Sequence, residues 1–550
     1  MPSLFDQEQP ARDALFDAWN LSGNPFHKDP PPDDLLTRVF VGRERELLRV
    51  GRAILDSPRN VMLRGGYGMG KTTFVKRLLS ELAKTTSRRY LVAYGSLLGD
   101  HALDFQHAVL KALADSLRDT TVEAENVHQA LLGNQRYEHP DLHIKSLLDG
   151  VSSSWDRVVI AIDELEKRPS GVILEVIVQC RPLFDLPCSF VIPGRLLDAM
   201  GHVDSSAFGA FDLIVDLEPF EPNGSRDILR RSLEVARAHA EDTPSLRPFS
   251  EPVVTRMIAN SHGIPRVLHT LARALIDGTL EDALEAGDTP AEIDLERYES
   301  CLIRAGASAY AGIDTRGRDV IRTFGRHGGY IDQRNLAEYL DDDFPLDSNL
   351  QVIEGLTHND SLLKWETAIN VHYALQAPLD RYLEHEQKFK QRLVPLWQAV
   401  SDTTGSPQER GARLQQFAEE LFGRVFRVVD TELRTQTEEL DLVLEYRGRY
   451  LSWADTPLLL VECKNWSSRV PQREISALAT KARLDDANLV FVVSVAGFTA
   501  DARAQAERIR QRDRRLIVLV DGSDIEQLLS GDETADDFFQ RLRRRARLNT

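Results

Sequence analysis

Apolar positions along this chain follow two rhythms, and the changes between them divide it into segments. Between Phe40 and Arg304, short β-branched runs alternate with stretches of helical spacing. That alternation predicts a mainly parallel sheet flanked by helices. The predicted strands are Val61–Leu63, Tyr90–Tyr94, Val158–Ile162, Ser189–Ile192 and Phe211–Asp216, followed by helical stretches at Gly224–Ala240 and Pro252–Asp277. Residues 1–39, rich in Pro and Asp, read as an arm that is irregular in part, and the acidic segment 278–300 as a loop with a short helix.

Beyond residue 313 the pattern gives three helices, Arg316–Arg326, Gln333–Leu340 and Ser348–Leu356, then a hairpin of Ser361–Trp365 with Val371–Gln376. That is the order of a winged helix. A long helix, Leu379–Val400, leads to a break at Thr403–Pro407. The remainder reads as a compact α/β unit, with strands near 424–430, 440–446, 457–463, 489–494 and 515–520 and helices at 408–422, 471–484 and 499–511. No internal repeat or low-complexity tract interrupts this order.

Composition narrows the class. A length of 550 residues exceeds what a single core normally holds. No apolar run approaches a membrane helix, and the N-terminus lacks a basic segment followed by an apolar one, so a cytoplasmic protein without membrane attachment is expected. The four cysteines, Cys180, Cys188, Cys301 and Cys463, have neither zinc spacing nor disulfide density. The net charge of −18 weighs against nucleic acid as a partner, but residues 401–550 hold 23 Lys and Arg against 25 Asp and Glu. A basic groove can therefore exist there. Arg541, Arg543, Arg544, Arg545 and Arg547 read as a basic tail, more often a solvated end than a nucleic-acid arm.

Two constellations carry chemistry. The first is Gly65-Gly66-Tyr67-Gly68-Met69-Gly70-Lys71-Thr72, followed by Thr73, placed between a predicted strand and a predicted helix. Such a loop folds its amide N–H groups around phosphates, and the helix N-terminus adds a favourable field. Lys71 would pair with the β- and γ-phosphates of ATP and Thr72 would ligate Mg²⁺. The partner is Val158–Glu164, a buried strand ending in Asp163, for the Mg²⁺ shell, and Glu164, to polarise the attacking water.

These residues resemble the AAA+ and related STAND-type ATPases, over about residues 24–275. Phe40-Val41-Gly42-Arg43-Glu44-Arg45-Glu46-Leu47 looks like the motif that cradles adenine in that family, and Ser261-His262-Gly263-Ile264-Pro265-Arg266 looks like its sensor-2 helix start. The resemblance implies Arg266 over the γ-phosphate. The chain departs where a polar sensor-1 residue is expected, since Phe190–Arg195 offers no Asn, Thr or Ser at its tip, and only Arg181 and Arg195 stand near an arginine-finger position. A slow switch fits that departure better than a fast motor.

The second constellation is Asp441 with Glu462-Cys463-Lys464. Strand alternation puts Glu462 and Lys464 on one face and Cys463 on the other, next to the strand of Asp441. Phosphodiester cleavage needs carboxylates for Mg²⁺, here Asp441 and Glu462, and a cation near the reacting oxygens, here Lys464. A Glu-x-Lys string alone is common as a solvated pair, but this one ends a strongly apolar strand. The stretches RGARLQQFAEELF, TEELDLVLEYRG, LLLVECKNWSS and VFVVSVAGFTADARAQA resemble the Mrr-type restriction endonucleases of the PD-(D/E)xK superfamily. The resemblance implies a DNA-cutting domain with catalytic Asp441, Glu462 and Lys464. Gln415 stands where many relatives carry a glutamate, and Glu419 lies one turn on; Lys481 could meet a phosphate or be a surface lysine.

The fold class expected is a multidomain α/β chain: arm 1–39, P-loop ATPase core 40–220, helical lid 221–310, winged helix 311–378, linker helix 379–403, restriction-endonuclease-like α/β domain 404–535 and basic tail 536–550. The winged helix lacks cations on its third helix, and its main basic set is Arg316, Arg318, Arg322 and Arg326, so DNA contact and an intramolecular or protein–protein role stay equally open. The functional expectation is an ATP-regulated, Mg²⁺-dependent DNA endonuclease of prokaryotic defence, set off by a phage-derived or cellular trigger and able to form homo-oligomers. The rivals are a DNA-binding regulator ATPase with a non-cleaving nuclease fold, and an oligomerising signalling ATPase.

Overall fold

In the computed structural model the apolar runs between residues 61 and 216 form one parallel sheet. Its strands are β1 (Val61–Arg64), β2 (Tyr90–Ser96), β3 (Arg157–Asp163), β4 (Ser189–Gly194) and β5 (Leu213–Asp216), in the order β2-β3-β4-β1-β5. Each pairing is parallel, with Ala161 beside Val191 and Leu63 beside Pro193 and Val215. Helices cover both faces, so both faces are apolar. Met62, Ile160, Ile162 and Phe190 point to one core, while Leu63, Val159, Ala161 and Val191 point to the other. Each predicted strand overlaps one of these five, although β5 begins at Leu213 rather than Phe211.

The residues described are 4–26, 33–165, 170–194, 208–239, 245–286, 289–340, 346–359, 361–366, 371–402, 404–434, 439–445, 458–484, 487–513 and 515–548. They divide into one unit of 1–305 with 330–377, and a second of 306–329 with 378–550.

In the first unit, three helices follow β2, at Ala102–Leu117, Val122–Leu132 and Pro140–Val151. A helical layer made of Pro222–Val235, Glu251–Ser261 and Pro265–Ala286 follows β5. Residues 4–26 of the N-terminal segment belong to that layer. Its helix Leu4–Ala18 and the turn after it contribute Leu15, Phe16, Trp19, Leu21 and Phe26 to a core with Leu268, Leu271 and Leu275. Burying those five large side chains contributes roughly 1.5–3 kcal/mol each, and the Pro-rich stretch 29–32 lies outside the described residues. Residues 278–300 also differ from the expected loop. The helix Pro265–Ala286 extends into them and a further helix begins at Leu295, because Ala283, Tyr298 and Cys301 continue the buried stripe, while Asp282 pairs with Arg304. Residues 330–377 form an antiparallel sheet of β6 (Tyr330–Asp332), β7 (Leu362–Glu366) and β8 (Val371–Leu375), in the order β6-β8-β7, with a helix at Leu346–His358. The expected helix Gln333–Leu340 is a tight turn followed by the single-turn helix Leu336–Tyr339.

The second unit is built on a mixed sheet of β9 (Arg427–Arg434), β10 (Glu439–Glu445), β11 (Leu458–Lys464), β12 (Leu489–Ser494) and β13 (Leu516–Asp521), in the order β13-β12-β11-β10-β9. β10 runs antiparallel to both neighbours, while β11, β12 and β13 are parallel. One face carries the helices Ala377–Ser401, Pro407–Gly423 and Ala535–Leu548, the other Gln472–Leu484 and Ala500–Asp513.

Three expectations change here. The presumed linker helix is a core element, with Phe389, Leu393, Trp397 and Val400 buried against Phe417 and Phe422. The presumed basic tail is a packed helix, because Phe538, Phe539 and Leu542 form an apolar stripe beneath its arginines. Arg541 pairs with Glu533 and Arg545 with Asp524, so those charges are used internally. The helix Thr315–Arg326, expected within the winged helix, groups with the second unit, where Arg318 and Arg322 bind Asp537. Both guanidinium groups are thus held by a carboxylate of this unit.

Candidate active sites

At the carboxyl edge of the parallel sheet, β1 ends and the chain turns through Gly65–Gly70 into the helix Lys71–Ala83. Gly68 and Gly70 have φ of +79° and +83°, a region that side chains disfavour. The Lys71 ammonium is 3% exposed and lies inside the loop, donating to the carbonyls of Gly65 and Gly66 at 2.9 Å each. Thr72 and Thr73 follow at the first turn of the helix, half-buried. Phosphates bound in this loop would find the amides, the ammonium and the helix terminus together.

Asp163 ends β3 on the same edge and is 1% exposed. Its two oxygens accept from the Tyr94 hydroxyl at 2.9 Å and from the Glu164 amide at 2.8 Å. Glu164 has a φ of +69°, which costs a non-glycine residue about 1–2 kcal/mol. That conformation turns the chain sharply where a carboxylate is presented at the sheet edge. Tyr94 was not foreseen from the sequence; its place on the strand beside β3, with Ser96 level with Asp163, was the available signal. Burial, and then the charge of Asp163, push its phenol above the ordinary range.

Arg266 comes from the start of the helix Pro265–Ala286 and meets the loop. Its amide donates to the Gly68 carbonyl at 3.3 Å, and its guanidinium lies 4.2 Å from the centre of the Tyr67 ring. Met69 and Gly70 open into a cavity of ≈ 600 Å³, lined also by Phe40, Arg43, Phe220 and His269, a volume that suits a nucleoside. Arg43 lies 4.2 Å over the Phe220 ring and donates to the Glu218 carbonyl. The structure thus brings Gly65–Thr73 and Arg266 into one place, with Asp163 and Glu164 on the same sheet edge. β4 ends in Pro193 and Gly194, with no polar side chain at its tip. Arg181 forms an ion pair with Asp185, and Arg195 lies outside the described residues.

In the second unit, Asp441 lies on β10, and Glu462 and Lys464 end the adjacent β11. An oxygen of Asp441 accepts from the Cys463 amide at 2.6 Å, which fixes the carboxylate against the neighbouring strand. Burial lifts its carboxyl above the ordinary range, and Glu462 adds to the lift. Glu462 is 6% exposed; Oε1 accepts from the Lys464 ammonium at 2.8 Å, and Oε2 receives no hydrogen bond. Burial opposes the charge of Lys464, but Glu462, Glu474 and Asp441 outweigh it and hold the ammonium above its usual value. Cys463 faces away into the core side.

Two carboxylates on paired strands, one with a bare buried oxygen, fit a hard divalent cation. Among the described residues no group of three or more His, Cys, Asp or Glu side chains is placed to hold a metal ion. Gln415 does reach the site, 3.5 Å from the Asp441 carbonyl and 3.4 Å from Glu419. Lys481 comes within 3.8 Å of Glu462.

Residues 408–529 match the Mrr catalytic-domain family, described as restriction endonuclease. The second unit therefore contains a restriction-endonuclease domain, and the first has the parallel sheet and phosphate loop of a P-loop ATPase core. No curated protein matches the chain. Solved structures similar to it include the Orc1 protein of Aeropyrum pernix in complex with DNA, at 16% identity over 63% of this chain and 93% of that one, with a TM-score of 0.37. Cdc6p from Pyrobaculum aerophilum matches at 15% identity over 64% and 95%, with a TM-score of 0.34. The RuvB Holliday junction branch migration motor of Thermotoga maritima matches at 15% over 63% and 95%, with a TM-score of 0.32. Likeness at this level says nothing about ligand or partner. Among the described residues no helix is long and apolar enough to cross a membrane.

Proposed function

We propose that this protein is a Mg²⁺-dependent DNA endonuclease whose cutting is governed by ATP bound at its P-loop, acting in the cytoplasm in prokaryotic defence against phage or foreign DNA. The observation that carries the reading is the pairing of Asp441, Glu462 and Lys464 at two strand ends inside a domain of restriction-endonuclease type. Asp441 and Glu462 would hold the metal, which when bound supplies charge to the phosphodiester and an activated water. Lys464, kept as an ammonium by Glu462, would stabilise charge on the phosphate oxygens.

At the other site Gly65–Thr73 would cradle the phosphates of ATP, with Thr72 and Asp163 toward Mg²⁺ and Glu164 toward the attacking water. Arg266, already in contact with the loop through Gly68, would report the γ-phosphate to the helical layer. A cytosolic DNA-cutting activity needs a gate, and the nucleotide site is the gate on this chain. The winged helix expected over 311–378 would pass the change on to the nuclease, and assembly of several copies would accompany ATP binding.

Purified protein with plasmid and Mg²⁺, with and without ATP, tests the reading. Cutting that depends on nucleotide and disappears in Asp441→Ala and Lys464→Ala is the expected result. Undiminished cutting in both variants would overturn the site assignment. No cutting by the parent under any nucleotide condition, with DNA still bound, would favour a regulator ATPase with a non-cleaving nuclease fold. Phage plating on cells carrying the parent or Asp441→Ala tests the defence role.

A further inference from the structure

The nuclease cluster contains a cation that Asp441, Glu462 and Lys464 leave unexplained. The helix Gln472–Leu484 carries Glu474 and Lys481, seven residues apart and so on one helical face two turns apart. Both approach β11, and they do so crosswise. The carboxylate of Glu474 stands 3.8 Å from the Lys464 ammonium, and the Lys481 ammonium stands 3.8 Å from Glu462 Oε2. A lysine normally keeps its charged end in water. The Lys481 side chain is only 20% exposed and is directed toward buried carboxylates. At 3.8 Å it is too far to satisfy Oε2 by a hydrogen bond, so the two charges face each other across a gap.

Asp441 and Glu462 would offset the charge of a divalent cation that they hold, and the ammonium groups of Lys464 and Lys481 stand beside that pair where an anionic phosphodiester would arrive.

We propose that Lys481 binds the phosphodiester of the strand being cut, exchanging its contact with Glu462 for the phosphate when that carboxylate turns to the metal. The role rests on the reading of residues 408–529 as a metal-dependent nuclease. The test uses the full chain with Ca²⁺ as the probe metal and a short DNA duplex. Calorimetry reads Ca²⁺ binding, and fluorescence anisotropy in Ca²⁺ reads duplex binding. Lys481→Gln is expected to weaken duplex binding roughly fivefold to tenfold, the size of one lost charge-assisted contact. Ca²⁺ affinity should stay level or rise, because a competing cation has left, and Lys481→Arg should restore duplex binding. In Mg²⁺ the Gln variant should show its loss in KM more than in kcat.

Duplex binding by Lys481→Gln equal to that of the parent overturns the proposal. Loss of Ca²⁺ binding and duplex binding together in Lys481→Gln also overturns it, since Lys481 would then merely brace Glu462. A parent chain that binds neither probe overturns the nuclease reading itself, and the role of Lys481 with it.

Discussion

Tyr310 donates its phenolic hydrogen to Asp537 at 2.7 Å, joining side chains 227 residues apart in sequence. The same carboxylate accepts from Arg318 at 2.7 Å and Arg322 at 2.8 Å. Burial works against the charge of Asp537, but Tyr310 and the two arginines outweigh it and hold the carboxyl below its ordinary value. Asp537→Asn should therefore destabilise the second unit by about 2–3 kcal/mol at neutral pH, because it removes the carboxylate that Arg318 and Arg322 share and leaves them with the carboxylates of Asp536 and Asp319 alone. Tyr310→Phe should cost only about 1 kcal/mol. A depressed carboxyl stabilises above its unfolded pKa, so the deficit of Asp537→Asn should shrink as pH falls through the folded value. Urea unfolding of each variant at neutral and acidic pH checks both.

The adjacent Asp536 behaves oppositely. Its carboxyl is 3% exposed, and burial pushes it up to about 6 despite Arg318 nearby. A raised carboxyl favours the fold below its unfolded pKa, and that contribution is lost as pH rises through 6. Asp536→Asn imitates the protonated form and can keep the contact with Gln540. The variant should therefore be more stable than the parent at pH 8, by up to about 3 kcal/mol, and close to it near pH 4. Thermal unfolding across that range would show the difference opening with pH; a constant offset would refute it.

Gly68→Ala tests the contact between the phosphate loop and the helical layer. A Cβ at Gly68 would lie 2.8 Å from Arg266 Cβ, and the backbone there is left-handed. Strain of about 1–2 kcal/mol predicts roughly tenfold weaker nucleotide binding. Titration with a fluorescent ATP analogue measures it, with Lys71→Ala as the variant expected to lose binding altogether.

Asp441 sets an acid limit on metal binding. Its carboxyl titrates above the ordinary aspartate range, chiefly through burial, and a protonated carboxyl is a poor ligand. Mn²⁺ affinity measured by calorimetry should therefore decline at a higher pH than a solvent-exposed aspartate would allow. Asp441→Asn should abolish binding at every pH.

What the sequence made legible was local in cause. The phosphate loop and Glu462–Lys464 are set by strand ends, and the period-two and period-3.6 patterns locate those well. The packed helix Ala535–Leu548 was hidden because its arginines dominate the composition, although Phe538, Phe539 and Leu542 form a stripe beneath them. Tryptophan 19 and its neighbours were obscured by the prolines that follow. The pairing of Arg318 with Asp537 has no local signature at all, since the two lie 219 residues apart and only the folded chain joins them. Lys481 could be weighed but not placed, because its value depends on which way a helix turns toward β11.

The chain enters the second unit at 306–329, returns to the first at 330–377 and enters the second again at 378. Residues 408–529 carry the family signature, yet Arg318 lies before them and Asp537 after them. Recombination that moved only the signature segment into another gene would leave behind both partners of that ion pair, together with the core helices Ala377–Ser401 and Ala535–Leu548. The interleaved chain path makes the two units a single heritable piece, difficult to exchange part by part.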